Sequence, residues 1–366
     1  MSDAAPRKPA FGERVPDFVL PTPHNPLFHL NAAAGRNLVL VFLGSPPTPT
    51  ARALIAEAGS VRAAFDDRLA GLFWVVARPE HVEQLGIVQE VPGIRYFMDY
   101  EGVAARLYGL VPEGRDTVSA RTFVVDRSLR LLQAIEPQLG RPHLVPIVAG
   151  LRRLDAFQRG QDSLDHAPAL VVERVFEPEL CRALVDYYNA RGGTESGFMR
   201  ERAGMTVGVL DRDFKRRRDC TIEDARLRDA AVHRIHDRLL PEIRRAFQFT
   251  ATRIERHIVA RYDAKEGGFF RPHRDNTTKG TAHRRFAVTV NLNAEDYQGG
   301  DLRFPEYGER TYRAPTGGAV VFSCSLLHEA TEVTEGTRYA YLPFLYNDDD
   351  AELRRRNEVF LESRGG

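Results

Sequence analysis

Near the C-terminal end of the chain a single residue separates His273 from Asp275, and His328 follows within Leu326-Leu327-His328-Glu329-Ala330. In an extended segment residues i and i+2 point to the same face, so one strand can present an imidazole and a carboxylate to one ion. His328 would be the third ligand. Two histidines and one carboxylate on one side of a metal leave its other positions open, which suits non-haem Fe(II) that must also hold a co-substrate and oxygen. His-x-Asp alone is a common tripeptide, and each of these residues is otherwise an ordinary surface or capping side chain. The elements that would position them decide between the two readings.

Residues 254–262, 269–275, 286–293, 300–304, 310–314, 319–323 and 339–346 read as short strands separated by turn residues such as Gly299-Gly300, Gly308 and Gly317-Gly318. That texture predicts a sandwich or jelly-roll barrel. Before it come a strand at 169–175, a helix at 178–189 with proline at its first turn and glycines just past its end, and a long helical pattern at 225–247 that Pro241 would kink or split. Residues 194–224 are charged and glycine-rich without a clear period, which predicts a loop able to act as a lid or substrate contact. His233 and His236 lie off the apolar stripe of the long helix and read as exposed. Arg274, Arg284 and Arg303 could meet an anionic substrate or stand in solvent. Asn276 either orients Asp275 or begins a loop.

An Fe(II) enzyme that activates oxygen needs an electron source, and 2-oxoglutarate (2OG) provides it while a cation anchors its far carboxylate. Arg338 opens the strand Arg338-Tyr-Ala-Tyr-Leu-Pro-Phe, and its planar fork suits that task. Six blocks occur in order: Arg261-Tyr262, His273-Arg-Asp275, residues 285–293, Gly299-Gly-Asp-Leu-Arg-Phe304, Pro315-x-x-Gly318-x-x-Val-Phe322 and His328-Glu-x-x-x-Val-x-x-Gly-x-Arg338. Together they resemble prolyl 4-hydroxylase-type 2-oxoglutarate/Fe(II) oxygenases. The resemblance implies an α+β domain built on a double-stranded β-helix (jelly roll), with His273, Asp275 and His328 as iron ligands and no catalytic residue beyond the metal centre. It also implies Arg338 as the 2OG anchor, with Tyr262 and Asn291 as further co-substrate contacts. Fe(II), 2OG and O2 would be the cofactors, with ascorbate as reductant. The expected product is a hydroxylated peptidyl (prolyl-like) or small-molecule substrate, with release of succinate and CO2. Related halogenases replace the carboxylate ligand by a small residue, so Asp275 favours hydroxylation.

The first half alternates differently. Residues 38–43 are a continuous apolar run, 51–65 carry apolar positions at helical spacing, and 72–77 are a second apolar run. This strand-helix-strand unit, continued by 97–108 and 122–126, predicts a mixed or parallel sheet. A helix at 142–157 closes the unit, and the polar stretch 158–168 marks a boundary between domains 1–160 and 161–366. Gly12-Glu-Arg-Val-Pro-Asp-Phe18, the run 38–51, Asp99 with Leu107-Tyr108-Gly109, and Arg121-Thr-Phe-Val-Val-Asp126 resemble peroxiredoxins, which implies an α/β thioredoxin-like fold. The family's Thr-Pro-x-Cys is here Thr48-Pro49-Thr50-Ala51. A methyl group cannot replace the thiolate that attacks peroxide, and no cysteine precedes Cys181. The resemblance therefore implies a domain kept for partner docking, homodimerisation or covering its neighbour rather than for peroxide reduction.

Composition removes other classes. The chain has 366 residues, 43% hydrophobic and 28% charged, with formal net charge +1. No apolar run approaches membrane-spanning length, residues 1–10 lack the hydrophobic core of a secretory signal, and no global field draws the chain to nucleic acid. The cytoplasm is the expected compartment. Cys181, Cys220 and Cys324 are too scattered for a disulfide framework or a thiolate zinc site and read as buried small hydrophobes. The basic clusters 215–218 and 354–356 read as solvated faces. Against the oxygenase stand a catalytically idle two-domain binding or scaffold protein, a peroxiredoxin-like redox partner, and a zinc hydrolase. The last lacks a placed general base and leaves Arg338 without a role.

Overall fold

The computed structural model describes residues 8–45, 48–111, 117–159, 166–202 and 204–361. The chain divides into two compact units, Met1–Asp165 with Pro305–Gly308, and His166–Phe304 with Glu309–Gly366. Most of the stretch expected to separate the domains, 160–165, lies outside the described residues.

The first unit begins with a hairpin of β1 (Val19–Thr22) and β2 (Asn25–His29). Five further strands, β3 (Asn37–Phe42), β4 (Ala70–Val76), β5 (Ile94–Met98), β6 (Arg121–Val125) and β7 (Leu131–Ile135), form one sheet in the order β5-β4-β3-β6-β7. The pairs β3/β4 and β4/β5 are parallel, and β3/β6 and β6/β7 are antiparallel. Parallel neighbours need crossovers, which α1 (Pro49–Ser60) and α2 (Pro79–Gln84) supply. After β5 comes α3 (Val103–Leu107), and α4 (Leu144–Arg159) ends the unit. Every residue of β3 and β4 is buried because both faces are covered. Leu54, Ala58, Ile147 and Leu151 of the helices pack with Val39, Val41, Trp74 and Val124. Phe42, Tyr108 and Phe123 form one aromatic cluster, Phe73 stacks on Phe97, and Phe18 joins the two through Phe97 and Tyr108. Thr48 caps α1 by accepting the Ala51 N–H at 3.2 Å, and the methyl group of Ala51, where the resembled family has its nucleophile, is buried.

The second unit opens with β8 (Ala169–Val172) and α5 (Pro178–Arg191). The stretch 194–224 is not the expected loop. It contains β9 (Thr194–Glu195), β10 (Phe198–Arg202), β11 (Met205–Val209), β12 (Lys215–Arg216) and β13 (Arg218–Thr221). The long helical pattern that follows is α6 (Ala225–Arg234) and α7 (Leu240–Phe247), joined by one π-helical turn, Ile235–Leu239. Pro241 cannot donate to a carbonyl one turn back, and the widened turn accommodates its ring without breaking the helix.

The remaining strands are β14 (Arg253–Glu255), β15 (Ile258–Asp263), β16 (Phe269–His273), β17 (Phe286–Asn291), β18 (Tyr297–Gly299), β19 (Leu302–Arg303), β20 (Thr311–Tyr312), β21 (Ala319–Ser323), β22 (His328–Ala330), β23 (Val333–Tyr341) and β24 (Phe344–Tyr346). One five-stranded sheet has the order β12-β16-β22-β19-β20, and a ten-stranded sheet contains β15, β17, β23 and β24 among its members. Alternation assigns the faces. Val259, Val288, Val290, Tyr341 and Leu345 pack with Leu184, Ile235, Leu239 and Ile243 of the helices. Ile258, Ala260, Tyr262, Ala340 and Leu342 instead pack with Phe270 and Ala330 of the smaller sheet. The expected strand 339–346 is two elements, because Pro343 has no N–H for the ladder. The expected strand 254–262 breaks at Arg256, whose φ is +66°. All three cysteines are buried and free, and His233 and His236 are exposed.

Candidate metal centre

His273 ends β16 and His328 begins β22, and the two residues are direct partners across this antiparallel pair. Asp275 lies two positions further on, its N–H bonded to the Cys324 carbonyl at 3.0 Å. One ligand atom from each of the three lies within 4.8 Å of the others. Asp275 Oδ1 is 3.6 Å from His273 Nε2, and Oδ2 is 3.3 Å from His328 Nε2. The remaining imidazole nitrogens are committed elsewhere. His273 Nδ1 lies 2.8 Å from the Arg271 carbonyl and His328 Nδ1 lies 3.0 Å from the Leu326 carbonyl. A carbonyl only accepts, so each Nδ1 carries the proton and each Nε2 presents a lone pair beside Asp275. Phe270 stacks on His273 with ring centroids 3.5 Å apart, and Phe322 lies 4.5 Å from His328.

Electrostatics prepare the same cluster. Burial, reinforced by His328, pushes His273 down to about 4. Burial opposes ionisation of Asp275, yet His328 and His273 together hold its carboxyl well below the usual carboxylate range. A neutral imidazole at His273 and a carboxylate at Asp275 are the forms a cation binds.

Arg338 and Tyr262 are paired residues of β23 and β15, and both line the pocket that contains the three candidate ligands. The Arg338 guanidinium carbon lies 5.1 Å from the centre of the Tyr262 ring. Arg338 is 2% exposed, and its Nε and Nη1 have no hydrogen-bond partner among the described residues. Burying unpaired guanidinium N–H groups is costly, so this arginine is set up for a carboxylate supplied from outside the chain. The Tyr262 hydroxyl lies 3.4 Å from Arg217 Nη1. Asn291 is buried but not in the pocket lining; its amide donates to the Ala314 carbonyl at 2.6 Å.

The basic cluster 215–218, read from sequence as a solvated face, is partly interior. Lys215 and Arg217 are 3% and 5% exposed. Arg217 grips Asp219 with two bonds of 2.7 Å, while Lys215 Nζ donates to Ser196 Oγ at 2.7 Å and to the Gly197 carbonyl at 2.6 Å. Burial first, then Arg217, holds the Lys215 ammonium well below its ordinary range, and Arg217 with Lys215 holds Asp219 at about 2 against its burial. The spacing Lys215, Arg217, Asp219 is the period of a strand, which was the available signal for one shared face. Arg256, also overlooked, lines the pocket. Arg284 and Arg303 are held by Glu255 at 2.7 Å and by Glu329 at 2.5 Å, Arg274 donates to the Ser325 carbonyl, and Asn276 bonds Ser325 Oγ at 2.8 Å.

Residues 257–346 match the model of the 2OG-Fe(II) oxygenase superfamily, a span that contains all three candidate ligands and Arg338. This stretch of the second unit is therefore similar to a 2OG-Fe(II) oxygenase domain. The chain is an enzyme of the dioxygenase and hydroxylase class, and the superfamily it matches uses Fe(II), 2OG and O2. Over 160 residues the chain is 29% identical to a PKHD-type hydroxylase of Acinetobacter baumannii, covering 40% of this chain and 67% of the relative. It is 36% identical over 104 residues to a PKHD-type hydroxylase of Paracoccus denitrificans, covering 25% of this chain and 45% of the relative. A prolyl-4-hydroxylase structure from Pseudomonas putida aligns at 20% identity and TM-score 0.38, covering 53% of this chain and 98% of that one. The residues present fit the cofactors of that superfamily: two imidazoles and a carboxylate able to hold Fe(II), and a buried guanidinium with two unpartnered nitrogens able to meet a carboxylate of 2OG. No helix among the described residues is long and apolar enough to cross a membrane.

Proposed function

We propose that this protein hydroxylates a peptidyl (prolyl-like) or small-molecule substrate, converting 2OG to succinate and CO2. The observation that carries the reading is the coincidence, in one pocket, of the His273/Asp275/His328 cluster with an arginine that has buried, unpartnered N–H groups. His273, Asp275 and His328 hold Fe(II), Arg338 receives the far carboxylate of 2OG, and the Tyr262 hydroxyl contacts the co-substrate. When bound, the metal and 2OG supply the oxidising chemistry. The chain contributes position and dryness. The backbone carbonyls of Arg271 and Leu326 fix the two imidazoles, while Phe270 and Phe322 hold their rings and keep water from the ligand atoms. Phe270, Leu302 and Ala330 on the smaller sheet and Tyr262, Ala287 and Thr289 on the larger line this pocket, which supports a double-stranded β-helix for the second unit.

For the first unit, the sheet order and the mixed strand directions support a thioredoxin-like fold. With alanine at position 51, we read this unit as serving partner docking, homodimerisation or cover for its neighbour rather than redox chemistry. We place the protein in the cytoplasm, with ascorbate as reductant. The reading is tested by succinate production from purified protein supplied with Fe(II), 2OG, ascorbate and oxygen. Turnover above that of a His273→Ala control is the expected result, and equal rates would sink the assignment.

A further inference from the structure

The pocket around the candidate ligands is lined by three arginines, Arg217, Arg256 and Arg338, and by one carboxylate, Asp275. Arg217 is neutralised by its two bonds to Asp219. Arg256 has no ion pair among the described residues. Its Nε donates to the Leu342 carbonyl at 3.1 Å, and its guanidinium carbon sits 4.4 Å from the centre of the Phe344 ring. The adjacent carboxylate is already taken, because Glu255 binds Arg284 at 2.7 Å and His283 at 3.0 Å. The backbone of Arg256 is left-handed, with φ +66°, at the junction of β14 and β15. A side chain there costs on the order of 1 kcal/mol, and glycine would avoid the strain. The fold instead puts an arginine at this position and fixes its Nε and its ring contact, while its terminal nitrogens make no bond to the described residues.

Charge arithmetic then singles it out, granted the Fe(II)/2OG reading above on which this step rests. The two positive charges of the metal and the one on Arg338 are met by Asp275 and the two carboxylates of 2OG. The Arg217–Asp219 pair is neutral, the buried Lys215 ammonium lies outside the pocket lining on Ser196 and Gly197, and among the lining residues Arg256 is the charge left over. A surplus cation in a partly desolvated pocket attracts one anionic group far more strongly than it would in water. Its surroundings also lower the arginine itself, to about 10, chiefly by burial and by Arg217.

We propose that Arg256 is the anchor for a singly charged carboxylate on the primary substrate, so that the enzyme selects carboxylate-bearing compounds, such as a free amino acid or the C-terminal acid of a peptide, over neutral internal peptide segments. The test uses the full chain under anaerobic conditions, loaded with Fe(II) and saturated with 2OG, whose binding is followed by its visible charge-transfer band. Acetate, its neutral isostere acetamide and inorganic phosphate are then titrated by calorimetry into wild type, Arg256→Gln, Arg256→Lys and Arg338→Gln.

The wild type should bind acetate in preference to both other probes. Arg256→Gln should weaken acetate by about tenfold or more, the value of one charge-assisted hydrogen bond, with the 2OG band retained as evidence of an intact site. Arg256→Lys should recover part of the loss, and Arg338→Gln should weaken 2OG instead. Acetate binding that is absent in wild type, or unaffected by Arg256→Gln, overturns the proposal. So does a preference for phosphate, or loss of 2OG affinity in Arg256→Gln, which would assign the arginine to the co-substrate. If 2OG fails to bind the wild type, the oxygenase reading itself is at fault and this inference falls with it.

Discussion

His328 Nε2 lies 3.3 Å from Asp275 Oδ2, and His328 also stands directly opposite His273 across a pair of antiparallel strands. Replacing His273, Asp275 or His328 singly by alanine should therefore lower metal affinity by more than the roughly 10- to 100-fold typical of losing a residue that merely supports a ligand. Equilibrium dialysis against Fe(II) or Mn(II) checks this, and a variant with unaltered affinity would remove that residue from the ligand set.

Arg338→Gln removes a charge whose buried N–H groups await a partner. The apparent KM for 2OG should rise about 10- to 100-fold, as expected for loss of a charge-assisted hydrogen bond, while metal content stays at the wild-type level. Steady-state succinate formation against 2OG concentration, with metal analysis in parallel, separates co-substrate binding from metal loss.

Gly300 supports that arginine sterically. A Cβ placed there would meet Val333 Cγ2 at 2.7 Å and Arg338 Cδ at 3.3 Å, on a backbone with φ +67°. Gly300→Ala should raise the KM for 2OG by displacing the Arg338 stem, and lower stability by roughly 1–3 kcal/mol through overpacking and left-handed strain. Thermal unfolding and 2OG kinetics on one preparation give both numbers, and an unchanged KM would show that Arg338 tolerates the shift.

Acid should act on the second unit through Glu255. Burial resists its ionisation, but the hydrogen bond from His283 and the nearby Arg284 overcome this and lower it from 4.5 to about 2. The folded pKa lies below the unfolded one, so its stabilisation is present above about 4.5 and is lost as pH falls toward 2. In Glu255→Gln that part of the acid dependence should vanish, and stability at neutral pH should drop by about 3 kcal/mol because His283 and Arg284 lose a buried partner. Circular-dichroism denaturation between pH 2 and 7 distinguishes the two curves.

The sequence was most legible where chemistry and periodicity coincide. His273, Asp275, His328 and Arg338 stand on or beside strands whose alternation was visible, and the structure gathers all four into one pocket. The apolar runs of β3 and β4 were legible because both faces are buried. Short, charged strands were not. β12 and β13 contain Lys215, Arg216, Arg218 and Asp219, and they are held by ladder bonds and by the interior Arg217–Asp219 pair rather than by an apolar stripe. Arg256 was invisible for a different reason. Nothing in Ile254-Glu255-Arg256-His257-Ile258 announces a left-handed residue, and only the break between β14 and β15 reveals it. The Asn291 expectation came from resemblance alone; its amide nitrogen donates to a backbone carbonyl, and its Oδ1 is buried without a partner among the described residues.

Because His273 and His328 are register partners, any ion gripped by both is also a rung of the β16/β22 ladder. Fraying of this short pairing and escape of the ion are then a single event. Iron starvation would loosen the sheet at the very place where the cofactor must be recaptured, making metal occupancy a determinant of how long the folded enzyme survives as well as of how fast it works.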